Sequence, residues 1–370
     1  MSTRVLHVIS GLTRGGAETF LSRLAPRLRA RGVDSVVVSL TGEDELGEQL
    51  RCDGIPVLAL GMKMPSPPIR EVRRLWRVID AGNPDVVMTW LPHSDLIGGT
   101  VARLRRVPVV WNLRSAMAAN DDDRSHRLLL GVQRTISRRV PNRIVCVSTA
   151  AFDAHRRLGF DAQRMEVIRN GFDTATFRPD AAARAAVRSE LDIGDRTTVV
   201  GQVARVDPVK DHATAFRAFA LFRRHHPDSV LVLCGAGTDS LPKELSDLVR
   251  AEGLTGHLRL LGSRSDVPRL TTSFDVALCS SRFEGLSNAV GEAMSCDVPA
   301  VSTDAGDASE LIGSTGIVVP VGDANALAGA LVAVLDGGRP SPRERIFESF
   351  SLDASVDRYA ALLRSVSGST

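Results

Sequence analysis

Aromatic side chains are scarce in this chain of 370 residues, where one Tyr, three Trp and twelve Phe make up only 4% of the total. With so few rings to stack on bases, and no helix-turn-helix, zinc-finger or RNA-binding signature, nucleic acid is a poor candidate partner. Cysteine is sparse too. Cys52, Cys146, Cys234, Cys279 and Cys296 are odd in number and never spaced C-x2-C, so they read as small hydrophobes in a reducing compartment without structural zinc. No apolar run approaches the roughly 18 residues that span a bilayer. The opening Met1 to Ser10 lacks the apolar core of a secretory signal. A cytoplasmic location is expected, at most peripheral on the inner face of the cell membrane.

What is present is ordinary for a globular protein, with 44% hydrophobic and 24% charged residues. The length suits two domains of roughly 100 to 200 residues each. Net charge is +3 but unevenly shared, because residues 1–180 carry 27 Lys+Arg against 19 Asp+Glu and the remainder 19 against 24. A basic first half suits a phosphate-bearing acceptor or an anionic membrane surface. Short apolar runs alternate with helical patterns along most of the chain, which is the α/β signature. Strands are expected at residues 4–9, 33–40, 57–60, 85–89, 107–111, 143–147 and 165–168. In the second half they are expected at 197–206, 229–234, 258–261, 275–279, 299–302 and 316–321.

Ser280 to Cys296 is the most informative stretch. An apolar run leads into it and a small-residue helix from Asn288 to Ser295 leads out, so the helix starts just beyond a strand. Ligands of open α/β sheets bind at such a place, where unpaired N–H groups and the positive dipole end meet an anion. Glu284 in the loop and Glu292 in the helix are eight positions apart. Eight steps of roughly 100° leave about 80° between them, so both can reach one ligand. Read blandly, one is a surface loop residue and the other a solvated helix residue.

The stretch resembles the E-x7-E motif of retaining GT-B glycosyltransferases, glycosyltransferase family 4 in particular, as do the flanking Glu-Gly-Leu-Ser-Asn and Glu-Ala-Met. Further matches occur in the right order. Gly15-Gly16-Ala-Glu18 is similar to the N-terminal loop whose backbone approaches the donor diphosphate. Val167-Ile-Arg-Asn-Gly-Phe-Asp173 resembles the close of the first domain, with Arg169 where Pro is usual and its role open. Arg205 and Lys210, after an apolar strand, resemble the pair that binds the donor diphosphate, with Asp211 in place of the usual Gly. Gly262-Ser263-Arg264 resembles the loop at the nucleobase edge, and Thr303 to Glu310 a loop near the sugar.

The resemblance covers nearly the whole chain and implies an α/β GT-B fold, two Rossmann-like domains whose parallel sheets face across a cleft. Residues 1–178 would form the acceptor-side domain, residues 179–350 the nucleotide-sugar domain, and a terminal helix at 352–366 would pack back on the first. It further implies a retaining, metal-independent enzyme that moves a sugar from a nucleoside-diphosphate sugar, UDP favoured, to a saccharide or lipid-linked acceptor in cell-surface polysaccharide synthesis. His93, Arg205, Lys210 and Glu284 would be catalytic. Gly15, Gly16, Gly262, Ser263, Arg264, Gly285, Leu286, Ser287 and Glu292 would bind the donor, with Glu292 on the ribose hydroxyls. Arg114 and Asn170 would serve the acceptor side.

No cofactor or metal is expected. Asp121-Asp122-Asp123 fits a D-x-D pattern by which other glycosyltransferases hold a divalent cation, but three like residues in a polar loop are weak evidence for one. Arg70, Arg73, Arg74 and Arg77 fall at i, i+3, i+4 and i+7, opposite Ile69, Val72, Trp76 and Ile79. They form either a solvated face or a contact for anionic lipid or a phosphorylated acceptor. Pro26 should kink its helix. Gly235 and Gly237 lack the third glycine of a dinucleotide fingerprint, which argues against NAD. Two other functions stay open, a nucleotide-sugar 2-epimerase of the same fold and a non-catalytic nucleotide-sugar-binding protein.

Overall fold

The computed structural model describes residues 2–13, 15–63, 69–114, 124–337 and 340–368, the side chains of 124–126 excepted. Asp121 to Asp123 and the Pro-rich link at 64–68 lie outside the described residues. The chain divides into two compact units, one of Met1–Asn170 with Asp353–Thr370, the other of Gly171–Leu352. The division falls eight residues before the end of the acceptor-side domain expected at 178.

Among the described residues the first unit holds seven parallel strands, β1 (Thr3–Ile9), β2 (Val33–Ser39), β3 (Val57–Ala59), β4 (Val86–Trp90), β5 (Val109–Leu113), β6 (Arg143–Cys146) and β7 (Met165–Val167), in the order 3-2-1-4-5-6-7. The second holds six, β8 (Thr198–Val203), β9 (Ser229–Cys234), β10 (Leu258–Leu260), β11 (Val276–Cys279), β12 (Ala300–Thr303) and β13 (Ile317–Val319), in the order 10-9-8-11-12-13. Each expected strand is present, with ends shifted by a few residues; the apolar run at 197–206 stops pairing at Val203. Helices connect most of the strands, and sheets covered on both faces need continuous apolar strands. β4, β5, β9, β11 and β12 are accordingly buried at every residue.

The core of the second unit shows how this works. Val200, Leu231, Leu233, Val276, Leu278 and Val301 from four strands meet Phe216, Phe219 and Phe222 of the His212–Phe222 helix. Leu327, Leu331 and Val334 of the Ala324–Asp336 helix complete the cluster. A fully buried Phe contributes roughly 1.5–3 kcal/mol relative to exposure. Gly201 on β8 admits the ring of Phe274, which an added Cβ would meet at 2.1 Å.

In the first unit the Gly16–Arg29 helix runs through Pro26 without ending. The terminal Leu352–Ser367 helix brings in the chain's single tyrosine, Tyr359, whose hydroxyl accepts from Asn112 Nδ2 at 3.2 Å on β5. His7 on β1 is fully buried, accepting at Nδ1 from Trp90 Nε1 at 3.2 Å. Its other nitrogen therefore carries the proton and donates to Ser35 Oγ at 3.2 Å. Burial lowers the His7 pKa to about 3.

Below the ordinary pKa of 6.5 the unfolded chain takes up a proton that folded His7 refuses, so stability is lost as the pH falls from 6.5 towards 3. His7→Gln should remove part of this loss. We expect the drop in unfolding free energy of the first unit between pH 7 and pH 4 to shrink by a few kcal/mol, on the order of 1.4 kcal/mol per pH unit in the window. Denaturant unfolding followed by Trp fluorescence reads it, and equal slopes for both proteins would refute the assignment.

Candidate active site

In a parallel sheet of this order, the crevice lies where the strand order reverses, between β1 and β4 in one unit and β8 and β11 in the other. Most of the expected site residues follow the C-terminal ends of strands, several of them at these reversals.

In the second unit, the chain leaving β8 passes Arg205 and enters a single helical turn, Pro208–Lys210, capped by Asp207, whose Oδ1 accepts from Val209 N at 2.9 Å. Asp211 then adopts φ 46°, ψ 54°, a left-handed conformation that Gly, Asn and Asp tolerate. This explains the departure from the glycine usual at this position: the aspartate tolerates the turn and also caps the next helix, accepting from Thr214 N at 3.2 Å and Thr214 Oγ1 at 2.9 Å. The turn delivers Lys210 across the sheet reversal to Glu284. Its Nζ donates to Glu284 Oε1 at 2.5 Å, with the two side chains only 22% and 14% exposed.

Glu284 is held a second time, as Ser281 Oγ donates to the same oxygen at 2.7 Å. The loop is tied to its neighbours by backbone and side-chain bonds. Arg282 N donates to Val209 O at 2.7 Å, Ser280 Oγ to Lys210 O at 2.8 Å, and Thr303 Oγ1 to Ser281 O at 2.5 Å. Gly306, at φ +66°, lets the 303–310 loop reach Gly285, whose carbonyl an added Cβ would meet at 2.3 Å; Asp307 N donates to that carbonyl at 3.0 Å. The Asn288–Ser295 helix then begins at Ser287, which makes no side-chain cap. Its first N–H groups therefore lack that partner. Glu292 on this helix is buried, as is Leu286. Neither glutamate is the solvated residue of the bland reading.

Arg205 and Lys210 do not share a carboxylate bond. Arg205 donates from Nε and Nη2 to Asp207 Oδ2 at 3.1 and 2.8 Å and is 62% exposed, while Lys210 turns to Glu284. Both cations nevertheless act on Asp207. Burial pushes its carboxyl pKa up, but the Val209 N–H, the Arg205 bond and the charges of Arg205 and Lys210 outweigh this and leave it below the usual range.

Gly262 takes a left-handed turn at φ +63°, and its N–H donates to Thr238 Oγ1 at 3.0 Å. Arg264 is otherwise engaged than expected. Its Nε and Nη2 donate to Asp266 at 2.8 and 2.7 Å and its Nη1 to Glu190 at 2.8 Å. The Arg264 bond holds the Asp266 pKa down at about 2. All three guanidinium nitrogens of Arg264 are thus engaged with carboxylates inside the second unit.

In the first unit, Gly15 caps the Gly16–Arg29 helix in extended conformation, and His93 is the second residue of the Pro92–Leu104 helix, half-buried. Arg114 follows β5. Its guanidinium lies over Phe20 at 4.6 Å and Trp90 at 5.5 Å, and Nη2 donates to Asn170 Oδ1 at 2.5 Å. Burial lowers its pKa. The two acceptor-side candidates thus meet, and Arg114 does much of its work inside the unit. Arg169 donates to Thr149 Oγ1 at 2.9 Å, at the start of the Thr149–Arg157 helix. Arg70, Arg73, Arg74 and Arg77 are exposed on the Ile69–Gly82 helix, whose buried side is Leu75 and Ile79; Ile69 is 72% exposed rather than part of that side. Among the described residues, no group of three His, Cys, Asp or Glu is arranged to hold a metal, and no helix is long and apolar enough to cross a membrane.

Two family profiles match the chain, Glycosyltransferase Family 4 over residues 14–176 and Glycosyl transferases group 1 over residues 197–337. It is a glycosyltransferase of the GT-B fold. The chain is 26% identical over 315 residues to the putative glycosyltransferase EpsF of Bacillus subtilis (strain 168), covering 81% of this chain and 79% of that one. It is 24% identical over 327 residues to UDP-Gal:alpha-D-GlcNAc-diphosphoundecaprenol alpha-1,3-galactosyltransferase of Escherichia coli, covering 85% and 84%. The crystal structure of Anabaena HepE in complex with UDP-glucose superposes with a TM-score of 0.86 at 22% identity, covering 98% and 99% of the two chains.

Within this glycosyltransferase, sequence reading missed Asp207, Ser281 and Tyr359. Asp207-Pro208 carries a legible signal, since an Asp before Pro commonly caps a helical turn. Ser281 stands three residues before its partner Glu284, a spacing legible in sequence, whereas Tyr359 has no local signal because its partner Asn112 lies on a distant strand.

Asp211 gives a test of the turn that delivers Lys210. Asp211→Ala should destabilise the second unit by about 2 kcal/mol, combining a lost cap with a left-handed Ala, whereas Asp211→Asn should stay within about 1 kcal/mol of the parent. Chemical denaturation measures both, and equal losses would show that the backbone conformation there is unimportant.

Proposed function

We propose that this glycosyltransferase is a retaining enzyme that transfers a sugar from a UDP-sugar to a saccharide or lipid-linked saccharide acceptor in the synthesis of cell-surface polysaccharide. The observation that carries this reading is the Lys210–Glu284 pair beside the start of the Asn288–Ser295 helix at the β8/β11 reversal. A leaving nucleoside diphosphate gains negative charge as the glycosidic bond breaks. An ammonium has three donors and Glu284 takes one, so Lys210 can meet phosphate oxygens with the others. Arg205 Nη1 and the helix N-terminus add to the stabilisation. The diphosphate is assigned to these donors, and no metal is expected.

Glu284 is suited to positioning a sugar. Its Oε1 already accepts from Lys210 and Ser281, which neutralises and orients the carboxylate rather than freeing it as a nucleophile. Retention would then follow from attack on the face the diphosphate leaves, with a departing phosphate oxygen taking the acceptor proton. Glu292 would hold the ribose hydroxyls, and His93, Arg114 and Asn170 would serve the sugar and acceptor. A UDP donor and a lipid-linked acceptor are favoured by the UDP-glucose of the Anabaena complex and by the substrates in the Escherichia coli protein's name.

A lipid-linked acceptor would bring the enzyme to the inner face of the membrane. Arg70, Arg74 and Arg77, with Leu60 and Glu71, line a depression of about 350 Å³, and Arg73 extends the same exposed stripe. We assign this stripe to anionic lipid.

Three measurements test the reading. Lys210→Ala and Glu292→Ala should fold yet lose on the order of 10 to 100-fold in kcat/KM, since hydrogen bonds to charged groups contribute roughly 1.5–3 kcal/mol each. A thermal-shift panel of UDP-, GDP- and ADP-sugars should raise Tm most with a UDP-sugar, and no response to any of them would overturn the proposal. In flotation assays the protein should rise with anionic vesicles and not with neutral ones, and equal binding to both would remove the Arg stripe from the account.

A further inference from the structure

Asp95 is a fully buried carboxyl group that the proposed chemistry does not use. It sits two residues after His93 in the first turn of the Pro92–Leu104 helix. The turn that leads into this helix is strained: Leu91, a residue with a Cβ, stands at φ 74°, ψ 154°, a region that is nearly glycine-only. Such a conformation persists only where surrounding contacts over-determine it. Asp95 supplies two of them. Thr89 Oγ1 on β4 donates to its Oδ1 at 2.5 Å, and Gln133 Nε2 from the Arg124–Ile136 helix donates to its Oδ2 at 2.7 Å.

Two more contacts hold the same turn. Ser94 Oγ lies 3.2 Å from Ser10 Oγ at the exit of β1. Gly98, one helical turn on, lies so close to the sheet that an added Cβ would stand 2.9 Å from Val8 Cγ1. The residues that flank His93 are therefore fastened to β1, to β4 and to a neighbouring helix, with Asp95 as the joint between the last two.

We propose that Asp95 is the positioning residue of His93, a clamp that holds the strained Leu91 turn and so fixes the imidazole for the transferred sugar. The inference rests on the reading of His93 given above. Burial raises the Asp95 pKa well above the usual carboxylate range, so a neutral amide is a close substitute for the side chain. A misplacement of about 1 Å at a reacting group can lower the rate on the order of a hundredfold, so a clamp outside the site matters.

The test uses the full chain with ¹⁵N-labelled histidine, His93 being assigned from His93→Gln. Thr89→Val and Gln133→Leu each remove one bond at near-constant volume. Both should keep the parent Tm within a few degrees, shift or broaden the His93 ring signals, and leave those of buried His155 in place. With UDP-glucose as the probe donor, UDP release should fall about tenfold in kcat, with the donor KM changed by less than about twofold. Asp95→Asn should restore His93 signals that Asp95→Ala loses. Folded Thr89→Val and Gln133→Leu proteins with unaltered His93 signals would overturn the clamp. Shifted signals with full UDP release from His93→Ala would leave the clamp standing and overturn the role of His93 instead.

Discussion

A lysine and a glutamate 74 residues apart meet at 2.5 Å because β8 and β11 are neighbours although two strands separate them in the chain. At such a reversal the connections on either side lead away in opposite directions, and a gap opens above the strand ends. The second unit fills the rim of that gap with charge. Lys210 arrives on a left-handed turn at Asp211, and Glu284 on a loop stitched to Val209, Lys210 and Thr303. Move either turn and the pair separates, leaving Lys210 without its carboxylate and Glu284 with Ser281 alone. That would be costly in a partly desolvated place, so the pair constrains the loops as much as the loops position the pair.

The first unit uses the same reversal differently. Several of its polar side chains bond inside the protein, His7 to Ser35 and Trp90, Asp95 to Thr89 and Gln133, and Arg114 to Asn170 beneath two rings. Low dielectric makes each such bond strong and each missing one expensive. Contacts of this kind hold a strained turn such as Leu91. The second unit instead keeps a charged group at the surface, the 62% exposed Arg205 beside Asp207. One edge is built to hold shape and the other to offer charge.

Much of the fold was legible in the chain. Apolar runs such as 229–234 and 275–279 read as buried strands because both faces of the sheet are covered, and the small-residue helix at 288–295 was bounded correctly by its composition. The candidate site was legible where a motif concentrates its residues in one loop, as with Glu284 to Glu292. It was less so where the partner is remote. Arg264 looked like a donor contact, yet Glu190, Asp266 and Arg269 form a charged cluster around it that its own neighbourhood in sequence reveals only in part. Arg205 and Lys210 looked like one clamp, and their side chains instead turn to different carboxylates.

By itself the sequence determined the alternation of strand and helix, the two-domain length, and the turn chemistry that lets Asp211 and Gly306 adopt left-handed backbone. Those follow from local sterics and the period of apolar residues, which need no knowledge of what packs against what. Only tertiary structure decided which charges would be used up inside the protein and which left for a ligand. That choice depends on side chains brought together across the sheet reversals. Lys210 with Glu284, Asp95 with Gln133 and Asn112 with Tyr359 all join positions whose separation in the chain carries no trace of their contact.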